Sequence, residues 1–133
     1  MTINYTNSGI WILRLLAALI MLQTLYFKFS ASPESIYIFS RLGMEPWGRI
    51  GTGVFELIAS ILILYPRTTY LGALLALGLM TGAIWFHFTK LGISVMNDKG
   101  QLFIYAWLVF VSSLSLLIIY RQNFFQLVKK ITG

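Results

Sequence analysis

Apolar residues along this chain gather into long blocks separated by short polar breaks. The first apolar run covers residues 10–29, interrupted by Arg14 and closed by Lys28. A helix of about twenty residues spans roughly 30 Å, the thickness of a hydrocarbon core. Further runs cover 47–64, 69–88 and 102–120. Pro46 suits the first turn of the second run, and Pro66-Arg67-Thr68 ends it. The third run follows so closely that the two must be antiparallel neighbours. Asn97-Asp98-Lys99-Gly100, the most polar stretch, reads as the loop before the fourth. The pattern predicts an all-α fold: an integral membrane four-helix bundle, up-down and antiparallel, forming one domain over 1–133.

The segments outside these runs are polar–apolar mixtures. Residues 32–43 offer Ser32 as a cap, Pro33 at the first helical position, Glu34 in the first turn and Gly43 as a stop. That segment is too short to span, so it reads as an interfacial helix between the first two runs, the alternative being a solvent loop. Residues 121–133 form a basic, aromatic tail. Ser30-Ala31-Ser32 resembles a signal-peptide cleavage site, but the run before it is too long and no positive charge precedes it in residues 1–9. Retention of the first run is expected. Trp11, Trp47, Trp85, Tyr105, Trp107 and Tyr120 lie near run ends, as interfacial aromatics do.

Composition agrees with lipid as the solvent. Of 133 residues, 58% are hydrophobic and only 11% charged, against about 25% charged in soluble domains. Ten Lys+Arg face four Asp+Glu, but they are scattered at run ends with no basic stripe, which argues against nucleic acid as a partner. No cysteine is present, which removes thiol chemistry and iron–sulfur ligation. With one histidine, a His-rich metal site within the chain is also excluded, and no metal is expected. Basic residues do not settle the orientation. Arg14, Arg67, Arg121, Lys129 and Lys130 fall on the side of the termini, and Lys28, Arg41, Arg49, Lys90 and Lys99 on the other. The compact basic tail favours both termini in the cytoplasm.

Charges inside the runs carry the candidate chemistry. A charge facing lipid costs roughly 2.5–3.5 kcal/mol, so such residues should face the bundle interior. In the second run Arg49, Thr52, Gly53, Glu56 and Ser60 share one helical face, while Ile50, Val54, Leu57, Ile58 and Ile61 cover the rest. Glu56 lies eight residues beyond Gly48, roughly 12 Å into the membrane, and needs a cation, a hydrogen-bond donor or a proton. The first run offers Arg14, Ala17, Ala18, Met21, Thr24 and Lys28 on one face. Either cation could reach Glu56, and an Arg14–Glu56 pair is expected to pin the two helices; alternatively Arg14 snorkels to its own interface. His87, in register with Ala76, Met80 and Ala83, falls on the same membrane side as Lys28, Glu45 and Arg49. With Glu56 these residues could line a cavity. The plainer reading of His87 is an interfacial residue bonded to water or lipid. Gly78 and Gly82 form a small-xxx-small pair suited to close helix packing, within the chain or in a homodimer.

Several of these features resemble the DoxX-like family: Arg14-Leu15-Leu16 opening the first run, Lys28-Phe29 closing it, Glu45-Pro46 leading into the second, and the stripe Arg49…Gly51…Gly53…Glu56. The resemblance implies a four-helix protein of the bacterial inner membrane, with Arg14, Lys28, Arg49 and Glu56 as its matching polar positions. It also implies relatives linked to quinone-coupled oxidation of sulfur compounds and to a membrane oxidoreductase complex, and distant ones resembling receptor-assembly factors in animal cells.

Three functions fit the residues. One is an accessory, assembly or anchor subunit of a membrane redox complex, not catalytic by itself. Another is a quinone or small-lipid site in which Glu56 and His87 exchange protons and Trp85 and Phe88 stack the ring, with electrons drawn from a partner protein. The third is a proton- or cation-coupled transporter acting as an oligomer through Glu56.

Overall fold

The structure, a computed structural model, describes residues 8–92 and 100–132. Helix α1 covers Ser8–Phe29, α2 Pro33–Arg41, α3 Trp47–Leu64, α4 Thr69–Phe86, α5 Gln101–Ile119 and α6 Arg121–Thr132; a π-helical turn, His87–Leu91, extends α4. Among the described residues four helices (α1, α3, α4 with its π-helical turn, and α5) are long and apolar enough to cross a membrane. The loop expected at Asn97-Asp98-Lys99 lies outside the described residues.

α1 packs on α3 and α5, and α4 closes the ring against the same two helices. Antiparallel direction is visible in single contacts. Arg14, near the start of α1, donates to Ile63 and Leu64 at the end of α3, while Arg49, near the start of α3, donates to the Lys28 carbonyl at the end of α1. His87 and Phe88, beyond the end of α4, meet Phe103 near the start of α5, each ring pair 5.4 Å apart. Ala17, Ala59, Ala73 and Ala76 are fully buried where the helices come together, with Ile63, Val109 and Leu116 filling between them. Small residues let backbones approach in a membrane, where there is no hydrophobic force between helices to replace good packing. Ile50, Val54, Leu57, Ile58 and Ile61 are exposed, as the lipid-facing side of α3 requires.

α2 is built as its sequence implies. The Ser32 hydroxyl accepts from the Ser35 amide at 3.3 Å, Pro33 stands at the helix start and Glu34 in the first turn. Gly43, at φ 74°, ends the turn beyond it in a conformation that favours glycine. The segment after Tyr120 differs from the simple tail expected. It is an amphipathic helix, α6, with no buried residue. Phe125, Val128 and Ile131 are exposed on one side, and Gln122, Gln126, Lys129 and Lys130 lie on the other. Tyr120 itself, grouped by sequence with the interfacial aromatics, is only 1% exposed.

Gly72 sets how closely α3 and α4 meet. A Cβ there would lie 2.6 Å from the Ile63 nitrogen and 2.8 Å from the Ala59 oxygen, both backbone atoms that cannot swing aside. Gly72→Ala should therefore destabilise the bundle by about 1–3 kcal/mol, read as a lower thermal unfolding midpoint in detergent. Gly51→Ala, where a Cβ meets nothing within 4 Å, is the control expected to change little.

Candidate functional site

The polar side chains of the spans collect at two levels. At the level of the α3 C-terminus stands Arg14, 0% exposed. A helix end leaves four carbonyls without intrahelical partners, and in lipid no water replaces them. Here all four are accounted for. Ile61 accepts from the Tyr65 amide at 3.2 Å, Leu62 from the Thr68 hydroxyl at 2.8 Å, and Ile63 from the Thr69 hydroxyl and Arg14 Nε, both at 2.9 Å. Leu64 accepts from Arg14 Nη2. The guanidinium also lies 3.9 Å from the centre of the Trp11 ring, a cation–π contact. Arg14 thus spends Nε and Nη2 on the end of α3, its Nη1 has no hydrogen-bond partner among the described residues, and the expected Arg14–Glu56 pair does not form. The physical reason is reach: Ile63 is seven residues beyond Glu56 on α3, roughly 10 Å along the axis.

Lys28 is the partner of Glu56. Its Nζ lies 3.0 Å from Glu56 Oε1, with the carboxylate side chain only 3% exposed. The Thr24 hydroxyl has Glu56 Oε2 at 2.9 Å and the Met21 carbonyl at 3.0 Å. Its single proton goes to the charged acceptor, the stronger of the two. Ser60 bonds back to the Glu56 carbonyl at 2.8 Å. Behind Lys28, Arg49 holds Glu45 at 2.9 Å one turn earlier and spends Nη1 on the Lys28 carbonyl. Arg49 therefore fixes the backbone that carries Lys28.

Lys28, Glu56 and Thr24 open onto a cavity of about 330 Å³ in this half of the bundle. Its walls are mostly apolar: Ile20, Met21 and Phe27 of α1, Leu79, Met80, Ala83 and Phe86 of α4, and Leu102, Ala106 and Val109 of α5. Ser35, Ile38, Phe39 and Glu34 of α2 form its roof. His87 joins the lining from the first position of the π-helical turn, an irregularity that recurs at functional sites. The Gly92 carbonyl, 2.8 Å from His87 Nδ1, can only accept, so Nδ1 carries the proton; in the neutral ring Nε2 is left as an acceptor.

The seven sequence candidates therefore divide. Glu56, Lys28 and His87 come together on the cavity, Arg49 and Glu45 stand behind Lys28, and Arg14 belongs to the opposite level. Trp85 does not line the cavity: it is 64% exposed, pointing away from the bundle. Phe88 is equally outward, and Phe86, one position over, takes the inner place. Sequence reasoning passed over Glu34, Phe39 and Tyr105 as lining residues. The helical period of 32–43, which puts Ser35, Phe39 and Leu42 on one face, was the available signal for the roof. Gly78 and Gly82 also line the cavity, and a Cβ on either would meet nothing within 4 Å. Among the described residues they seat no neighbouring helix. Among the α5 serines, Ser113 is buried with no hydrogen-bond partner among the described residues.

Removing Lys28 should strand a buried carboxylate. Lys28→Met is expected to cost about 3–5 kcal/mol, while Lys28→Met/Glu56→Leu recovers much of that loss in a detergent unfolding series. Additive losses in the double variant would mean that the pair is not coupled.

The sequence model of the DoxX-like family matches residues 12–114, a span from α1 into α5 that includes every cavity-lining residue and stops before α6. No curated protein sequence and no solved structure matches this chain. The match covers most of the chain, which is a multi-pass membrane protein of the DoxX-like family.

Proposed function

We propose that this chain is a ligand-binding subunit of a membrane redox assembly, and that its cavity holds the head of a small lipophilic carrier, a quinone by class. The observation that carries this reading is an ammonium–carboxylate pair at the wall of an otherwise apolar cavity. Lys28 has three donors and gives one to Glu56; the Glu56 carboxylate takes one bond from Lys28 and one from Thr24 and has lone pairs to spare. Such a pair can donate to a carbonyl oxygen and accept from a hydroxyl at the same spot. Apolar walls with a few converging polar groups are the usual make-up of small-molecule sites, and the volume lies near the lower end of their range.

A quinone would supply two-electron, two-proton chemistry there. The residues of this chain would hold and orient its head: Lys28 through an ammonium proton, Glu56 through the free lone pairs of its carboxylate, and His87 through Nε2. The electrons come from a partner protein, since the sequence has no cysteine and one histidine and carries no redox centre of its own. This reading keeps the accessory role and gives it a chemical content. It is favoured over a transport path because Ala17, Ala73, Ala76, Val109 and Leu116 are fully buried within the bundle, leaving a pocket with a packed floor.

For orientation, we place both termini in the cytoplasm, with the bacterial inner membrane as the site of residence. Setting aside the charges engaged inside the bundle (Arg14, Lys28, Arg49) leaves Arg67, Arg121, Lys129 and Lys130 on the terminal side against Arg41, Lys90 and Lys99. The first group has no acid beside it, while Glu34, Glu45 and Asp98 accompany the second.

Titration of the chain in lipid nanodiscs with a decyl-tailed benzoquinone, followed by calorimetry, tests the binding reading. Saturable one-to-one binding is expected, weakened about tenfold or more by Glu56→Gln, the worth of a charged hydrogen bond. Partition into lipid alone, identical with and without protein, would overturn it.

A further inference from the structure

We propose that the ligand reaches the cavity sideways from the bilayer, through a gap between α3 and α4, and that its tail remains in that gap while its head meets Lys28 and Glu56. The proposal rests on the binding reading above.

The gap is marked by the cavity-lining residues that α3 and α4 present on either side of it. At Gly72 the two backbones are so close that a Cβ would lie within 2.8 Å of Ala59 and Ile63. Six and ten residues further along α4, at Gly78 and Gly82, a Cβ would meet nothing within 4 Å. Gly78 and Gly82 lie about 120° and 80° round α4 from Gly72, and the face they present is open. Thr52 stands on the α3 side of the opening and Phe86 on the α4 side, both lining the cavity. Gly78 both lines the cavity and is exposed on the outer surface of α4. A residue that does both marks a mouth, and here the mouth faces hydrocarbon.

The end of the bundle is covered in a way the side is not. α2 lies over the cavity with Phe39 and Ser35 buried, and Arg41 Nε donates to the Lys90 carbonyl at 3.0 Å, tying α2 across to the π-helical turn after α4. A head held against Lys28 and Glu56 in this cavity of about 330 Å³ needs an exit into lipid for a long tail. Glycines at the mouth supply that room, and the ion pair at the inner wall supplies the stop.

The test uses the full chain in nanodiscs and two probes: a decyl-tailed benzoquinone and a tail-less dimethoxybenzoquinone, followed by stopped-flow association and equilibrium binding. Gly82→Leu puts bulk into the mouth at a position where a Cβ meets nothing within 4 Å. It should slow association of the tailed probe at least tenfold and weaken its binding, while the tail-less probe binds as in the wild type. Gly78→Phe, on the outer rim where folding demands nothing of it, should give the same pattern more mildly. Arg41→Gln, which frees the roof, should leave the tailed probe's rate unchanged. If both glycine variants bind the tailed probe at wild-type rates, the lateral route is wrong and the binding site stands. If Gly82→Leu instead changes the oligomeric state and loses both probes together, the glycines serve a contact between copies and the route is again overturned. If neither probe binds the wild type, the site and the route fall together.

Discussion

A carbonyl at the end of a helix inside a bilayer has no water to turn to, and the arrangement of this bundle follows from how those carbonyls are satisfied. Arg14 caps the last turn of α3, Arg49 the last turn of α1, Arg41 the π-helical turn after α4 and Arg121 the last turn of its own neighbour, α5. The C-terminal end of a helix carries partial negative charge, so a guanidinium there meets both the hydrogen-bonding and the electrostatic need. Arg14 and Arg49 do this between antiparallel neighbours. Each one therefore sets the vertical register of α1 against α3, from opposite ends of the pair.

This use of arginine decides what the remaining charges can do. With Arg14 and Arg49 committed to carbonyls, Lys28 is the cation left for Glu56, and Arg49 holds the very carbonyl of the residue that bears it. An ammonium is a compact charge with rotatable donors, unlike the planar guanidinium fork. It can neutralise Glu56 and still offer a proton to a third group. The level with the packed alanines carries rigidity; the level with Lys28, Glu56 and His87 keeps space. The family match spans both, while α6, basic and amphipathic, lies beyond it.

Much of this was readable in the amino-acid order because lipid imposes strict demands on it. Four long apolar runs, the short turn at Pro66-Arg67-Thr68 and the polar stripe through Glu56 leave one sensible architecture. The Ser32-Pro33-Glu34 start of α2 is equally plain, since capping is a local property. The partner of Glu56 was not readable. It sits near the middle of α3, nine residues from Trp47 and eight from Leu64, so cations at both ends of α1 stood at similar range, and only the demand of the α3 C-terminus for Arg14 separates them. Trp85 and Phe86 show a second limit: one residue is about 100° of rotation on a helix, enough to move an aromatic from cavity to lipid. Gly78 and Gly82 show a third. Small residues at helical spacing record an absence of bulk, and the order of residues does not say whether a helix or a void takes the place.

The central claim is that the space beside Lys28 and Glu56 receives a lipophilic head. A density map of the chain in nanodiscs made with its native lipids addresses this directly. The account predicts compact non-protein density against Lys28 Nζ and the Glu56 carboxylate, with a thin extension leaving between α3 and α4. Side chains collapsed into the space, or a Glu56 carboxylate turned toward the acyl chains, would contradict it.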